Sequence, residues 1–137
     1  MFANMFARSF TSTSLGGVWR FWNPGYGYIL LMFCYQPLRQ YFSHSISVVV
    51  AFLVCGLFFH DVFYMIPLLF RDGQLVFPFV TVWFAAIGLG VVIADHVGIE
   101  FSWMPKMMRI PIHLGFLVLT FLFTRFVDIA IATAKHG

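Results

Sequence analysis

The sequence predicts an all-α integral membrane protein, and three observations carry that expectation. Of 137 residues, 61% are hydrophobic and only 9% charged, against roughly 45–50% and about 25% in an average soluble domain. The mean hydropathy is +0.91. Three stretches are roughly 20 residues long and apolar enough to cross a hydrocarbon core about 30 Å thick. A single multi-pass membrane domain over residues 1–137 is therefore expected, with the lipid bilayer and other membrane subunits as its partners. The formal charge of +3 comes from eight basic and five acidic residues. The basic ones sit singly between apolar runs, which excludes nucleic acid as a partner and reads as topology.

Residues 1–44 read as an N-terminal interfacial or re-entrant segment. The first fourteen carry one Arg, several Ser and Thr and no acid, without the repeated arginines of a transit peptide, and no cleavage site is expected before Trp19. The run WRFWNPGYGY over 19–28 is aromatic, which favours the headgroup level. Pro24, Gly25 and Gly27 are expected to interrupt any helix there. The apolar run 28–35 is too short to span and ends at Pro37 and Arg39, so a tilted, interfacial or re-entrant helix is expected.

Transmembrane helices are expected at 45–69, 75–94 and 110–132. The connection DHVGIEFSWMPKMMR between the second and third is amphipathic and aromatic, and is expected to lie along the membrane surface. With three spans the N-terminal side collects Arg8, Arg20, Arg39, Lys106 and Arg109, leaving Arg71 and Lys135 opposite, which predicts a cytoplasmic N-terminus. A fourth crossing near residue 30 would erase that bias.

Ionisable groups in a span are costly, so His60 and Asp61 in GLFFHDVF demand protein or a cavity beside them. His60 is either a general base, since an imidazole takes a proton near neutral pH, or a hydrogen-bonding residue between helices. In the second span Ala85, Ala86, Gly88 and Gly90 form a small-residue face suited to close helix packing, expected to join a neighbouring subunit. Arg125 and Asp128, one turn apart, read as an intramembrane charge pair. Asp95, His96 and Glu100 read as a solvated loop face, and no metal site is expected. Cys34 and Cys55 lack metal-type spacing and read as small packing residues. His113 reads as a capping or snorkelling residue. A further alternative pairs it with His60 as ligands of a haem or chlorophyll-type pigment.

The passage 19–63 resembles the catalytic stretch of the membrane-bound O-acyltransferase family, especially its sterol and diacylglycerol acyltransferase branch. The matching residues are Trp22-Asn23, Pro37-Leu38-Arg39 and Cys55-Gly56-Leu57-Phe58-Phe59-His60-Asp61. The resemblance implies acyl-CoA or another thioester as donor, His60 deprotonating an acceptor hydroxyl, and Asn23 orienting substrate. Pro24 directly after Asn23 departs from that pattern and gives the asparagine an extended preference. Family enzymes also enclose their reaction tunnel with more helices than three. The chain thus looks like the C-terminal half of that fold. Its expected function is a non-catalytic accessory subunit of a larger membrane complex, with no cofactor of its own. The alternative is the catalytic part of a split O-acyltransferase.

Overall fold

A computed structural model describes residues 2–22, 24–73 and 76–137. Among these residues all regular structure is helical, and three helices are long and apolar enough to cross a membrane: His44–Asp72, Phe79–Val97 and Lys106–His136.

The first long helix opens at Ser43, whose Oγ accepts the Ile46 N–H at 3.4 Å. It runs as α5 (His44–Gly56), passes through a π-helical turn at Leu57–Asp61, and continues as α6 (Val62–Asp72). The turn is closed by the Val62 N–H bonding the Leu57 carbonyl. In an uninterrupted α-helix, residues five apart point about 140° away from each other. A π-turn pairs residue i with i+5, which brings Gly56 and Asp61 to one face.

That face meets the start of the second long helix, α7 (Phe79–Val97). A Cβ on Gly56 would lie 2.7 Å from the Thr81 Cα and 2.9 Å from the Val80 carbonyl oxygen, so only glycine permits this approach. Asp61, 4% exposed, accepts the Val80 N–H at 3.2 Å, the Thr81 N–H at 2.6 Å and the Thr81 hydroxyl at 2.5 Å. These amides belong to the first turn of α7, which has no earlier carbonyl of its own to bond. The carboxylate therefore caps α7 from another helix and meets the positive end of its dipole.

The helix boundaries differ from the sequence expectation in all three spans. Leu75, expected to begin the second span, lies outside the described residues, and α7 starts at Phe79 because Pro78 holds Phe77 out of the helical region. Its other end passes residue 94 to reach Gly98, whose φ of +78° lets the Ile99 N–H return to the Ala94 carbonyl at 2.8 Å. The other long helices, 44–72 and 106–136, overrun the expected 45–69 and 110–132, because helix continues into the polar ends where hydropathy falls.

The core is built around α7. Ile87, Val91 and Ala94 are buried together with Leu15 from the N-terminal segment. On one face Gly88 lies against the Phe52 ring of α5, and on another Gly90 lies against the Phe116 ring of α8 (Lys106–His136). Two members of the small-residue face are thus used inside this chain, to seat its own aromatic side chains. Ala85 and Ala86 are half-buried. Trp83 adds a hydrogen bond across the same interface, its Nε1–H donating to Thr120 Oγ1 at 3.1 Å.

Upstream, α1 (Phe2–Phe10) packs on α2 (Leu15–Trp22). The α2 helix descends antiparallel to α7, Gly16 against Val91 and Trp19 against Phe84 and Phe52. The chain then returns through α3 (Pro24–Leu30), a second π-turn (Leu31–Tyr35) and α4 (Gln36–Arg39). Tyr26 meets Phe59, and Tyr35 reaches the start of α5, its Oη 2.7 Å from His44 Nδ1. Gly25 and Gly27, expected to interrupt helix together with Pro24, lie inside α3, and Pro24 stands at its first position, which a missing N–H suits.

Three consecutive carbonyls tie this N-terminal segment down. Arg109, 8% exposed, donates through Nη1 to Thr11 at 3.0 Å while Nε and Nη2 bond Met104 and Ser102. His113, 1% exposed, bonds the Ser12 carbonyl through Nε2 at 2.9 Å. The Phe101 N–H takes Thr13 at 2.7 Å.

Asp61→Ala is expected to destabilise the fold by roughly 1–3 kcal/mol for each donor left unpaired, read as a lowered unfolding midpoint in mild detergent. Asp61→Asn, which keeps one acceptor oxygen, should fall between this variant and wild type. Arg109→Met should release the N-terminal segment and accelerate tryptic cleavage at Arg8 by about tenfold or more. An unchanged rate would show that the carbonyl clamp does not hold α1.

Candidate functional site

Between the two arms of the N-terminal hairpin and the first long helix lies a groove of about 700 Å³, open on one side. Its size falls within the range of small-molecule sites. Trp19 and Trp22 come from α2, Tyr26 and Leu30 from α3, Val48, Ala51, Phe52 and Cys55 from α5, and Phe84 from α7. The wall is almost wholly aromatic and aliphatic. Its polar groups are Arg20, the tyrosines, Cys55 and His60, and no carboxylate lines it.

His60 sits in the π-turn next to Asp61, yet the two residues do different things. Asp61 is buried in the helix cap, whereas His60 is exposed to the groove with its ring edge-on to Phe84, centroids 5.3 Å apart. Among the described residues no hydrogen-bond partner meets the His60 ring. The extra residue of the π-turn makes this division possible, since it turns the aspartate onto α7 and leaves the preceding imidazole beside the cavity.

Asn23 lies outside the described residues, although Trp22 before it lines the groove. From the second matching motif, Arg39 donates to the Phe42 carbonyl at 2.9 Å and is not part of the lining. His113 is also outside the lining, spent on the Ser12 carbonyl. A carbonyl can only accept, so Nε2 carries the proton and the buried Nδ1 has no partner. The structure therefore does not bring His60 and His113 to one cavity. Arg125 and Asp128 form their pair at 3.0 Å. Asp95 lies 4.0 Å from His44, next to His96 in a shallow pocket at the opposite end of α7 from Asp61.

Two groups of the site carry signals in the sequence that were read otherwise. Arg20 stands inside the aromatic run WRFW, where a cation reads as topology, yet it belongs to the groove wall. Thr81 looks like an ordinary residue of an apolar span, but its amide and hydroxyl are what Asp61 holds. No protein-family model, curated protein or solved structure matches this chain.

Cys55 faces the groove and Cys34 is outside its lining. In a Cys34→Ser variant, oleate is expected to slow alkylation of Cys55 by N-ethylmaleimide several-fold, followed by intact mass. An unaltered rate would place the occupied volume elsewhere.

Proposed function

We propose that the chain is a membrane-embedded part of an O-acyltransferase, completed by a second polypeptide that closes the open side of its groove. The observation that carries this reading is His60, without a hydrogen-bond partner among the described residues at the wall of a long apolar groove, while its neighbour Asp61 is fully occupied elsewhere. An intramembrane histidine retained only to join helices would be hydrogen-bonded; this one faces open space. A groove lined by Trp, Tyr, Phe, Val and Leu suits an acyl chain, and the resemblance of Trp22-Asn23 and the 55–61 stretch to acyltransferases points to the same chemistry.

In this reading the imidazole removes the proton of an acceptor hydroxyl, whose oxygen attacks the thioester carbonyl. The carbon–sulfur bond then breaks and the thiolate departs, taking up the proton. A hydroxyl is a weak nucleophile at neutral pH, so a positioned base is what the step needs.

Helix lengths support the membrane setting. The 29-residue helix His44–Asp72 and the 31-residue α8 are each roughly 43–47 Å long, which matches a bilayer with its headgroups at about 40–45 Å. The 19-residue α7 is roughly 28 Å and begins level with Asp61, so its first amides lie inside the apolar zone. Backbone at that depth is tolerated only where protein satisfies it, which is the role of Asp61. The α2–α3 hairpin enters and leaves at the His44 end, which makes it re-entrant, with the N-terminus cytoplasmic by the balance of positive charge. Trp103, Met107 and Met108, all exposed on the 98–108 connection and the start of α8, face the interface.

His60→Ala is expected to cut thioester-dependent acylation by the isolated complex about 10²–10⁴-fold with subunit yield unchanged. Full activity in that variant would overturn the catalytic reading. Loss of the complex with no acyl transfer in wild type would favour an accessory subunit held by the same surfaces.

A further inference from the structure

Arg20 is the one cation in the groove wall, and among the described residues it has neither an ion-pair partner nor a hydrogen-bond acceptor. Arg8 likewise has none, but it lies outside the groove lining, and four other arginines are answered. Arg39 bonds the Phe42 carbonyl, Arg71 pairs with Asp72, Arg109 takes three carbonyls, and Arg125 pairs with Asp128. Arg20 is exposed at the groove, with tryptophans and tyrosines and no carboxylate in the lining around it, so its guanidinium is free to meet an anion that enters there. Arg20 directly follows Trp19, whose ring shares Phe84 with His60. The cation therefore stands toward the His60 end of the groove. From Val48 to His60 the wall extends roughly 18 Å by helix rise, enough to lay out an extended acyl chain.

We infer that Arg20 is the anion-recognition residue of the groove, and that the occupant is an acyl amphiphile from the bilayer with an anionic head. This rests on the acyl-groove reading above and adds to it the charge of the ligand. The aromatic wall takes the chain, and the guanidinium takes a carboxylate or phosphate oxygen in a charge-assisted hydrogen bond. Fixing the head at Arg20 sets which part of the chain lies beside His60, so the cation selects the ligand and also its register. Neutral acyl compounds enter the same groove but are held by the wall alone.

The test uses the full chain in a non-ionic detergent with two fluorescent probes of one chain, cis-parinaric acid and its methyl ester, at alkaline pH where the acid is ionised. Binding is read as energy transfer from the groove tryptophans to the polyene. Wild type is expected to bind the acid about tenfold more tightly than the ester or better. Arg20→Gln should erase that preference while leaving ester affinity unchanged, which also reports that the variant is folded. Arg20→Lys should keep most of it. Cys55→Trp, which fills the groove, should abolish both signals. Equal affinities in wild type, or a preference that survives in Arg20→Gln, would overturn the assignment of Arg20 while the groove reading stands. Absence of saturable transfer from either probe would overturn both. A preference lost in Arg20→Gln in a complex whose acyl transfer is indifferent to His60 would keep the anion site and remove the acyltransferase.

Discussion

The carboxylate of Asp61 on the first turn of α7 is the interaction on which the rest of this structure depends. A helix that begins among other helices exposes amides that neither water nor its own carbonyls can satisfy. Here two of those amides and the Thr81 hydroxyl converge on one buried carboxylate. The contact also needs backbone to touch backbone at Gly56. Both conditions are met on the same face only because the helix carries a π-turn between residues 57 and 61. The turn fixes where α7 starts, and α7 in turn holds Leu15, Phe52 and Phe116 around it.

The same turn explains how adjacent residues of opposite character serve separate ends. In a regular helix His60 and Asp61 would still diverge by one residue's rotation, but the aspartate would miss α7. With the extra residue, the acid satisfies the fold and the imidazole is left over. A His-Asp pair in sequence suggests a base with its orienting carboxylate; the geometry separates them, and among the described residues no other group hydrogen-bonds the imidazole. In the acyltransferase reading proposed above, the group that orients His60 would come from outside these residues, in keeping with a groove that is open on one side.

Much of the architecture is legible from residues alone, and what is not has definite causes. The three long helices follow from uninterrupted apolar length, and the Arg125–Asp128 pair from spacing of three. The late start of α7 is a local effect of Pro78 that hydropathy cannot register. The reach of Gly88 and Gly90 is a matter of direction: small residues announce a close approach without saying whose side chain fills it, and Phe52 and Phe116 lie far away in sequence. Tertiary contacts of this kind also hide the clamp of Arg109 and His113 on residues 11–13, since a carbonyl partner leaves no trace in residue identity. The groove is partly legible. Trp22, Cys55 and His60 line it, and so does Arg20, whose place inside an aromatic run gives no sign of whether it faces the groove or the membrane surface.

The clamp and the cap act on the groove from opposite ends. Arg109, His113 and Phe101 anchor the chain where α2 begins, and Asp61 anchors α7 near where the groove ends. Between those anchors the hairpin is held mainly by aromatic contacts, Trp19 on Phe52 and Phe84, and Tyr26 on Phe59. Edge-on ring contacts contribute about 0.5–1.5 kcal/mol each beyond their buried area, less than the buried charged hydrogen bonds at either end. The buried hydrogen-bonded anchors thus lie at the two ends of the groove, and its wall between them is joined by ring contacts. If the groove takes a long apolar chain sideways, as proposed above, that distribution suits it, because ring contacts can part and re-form without breaking the hydrogen bonds at either end.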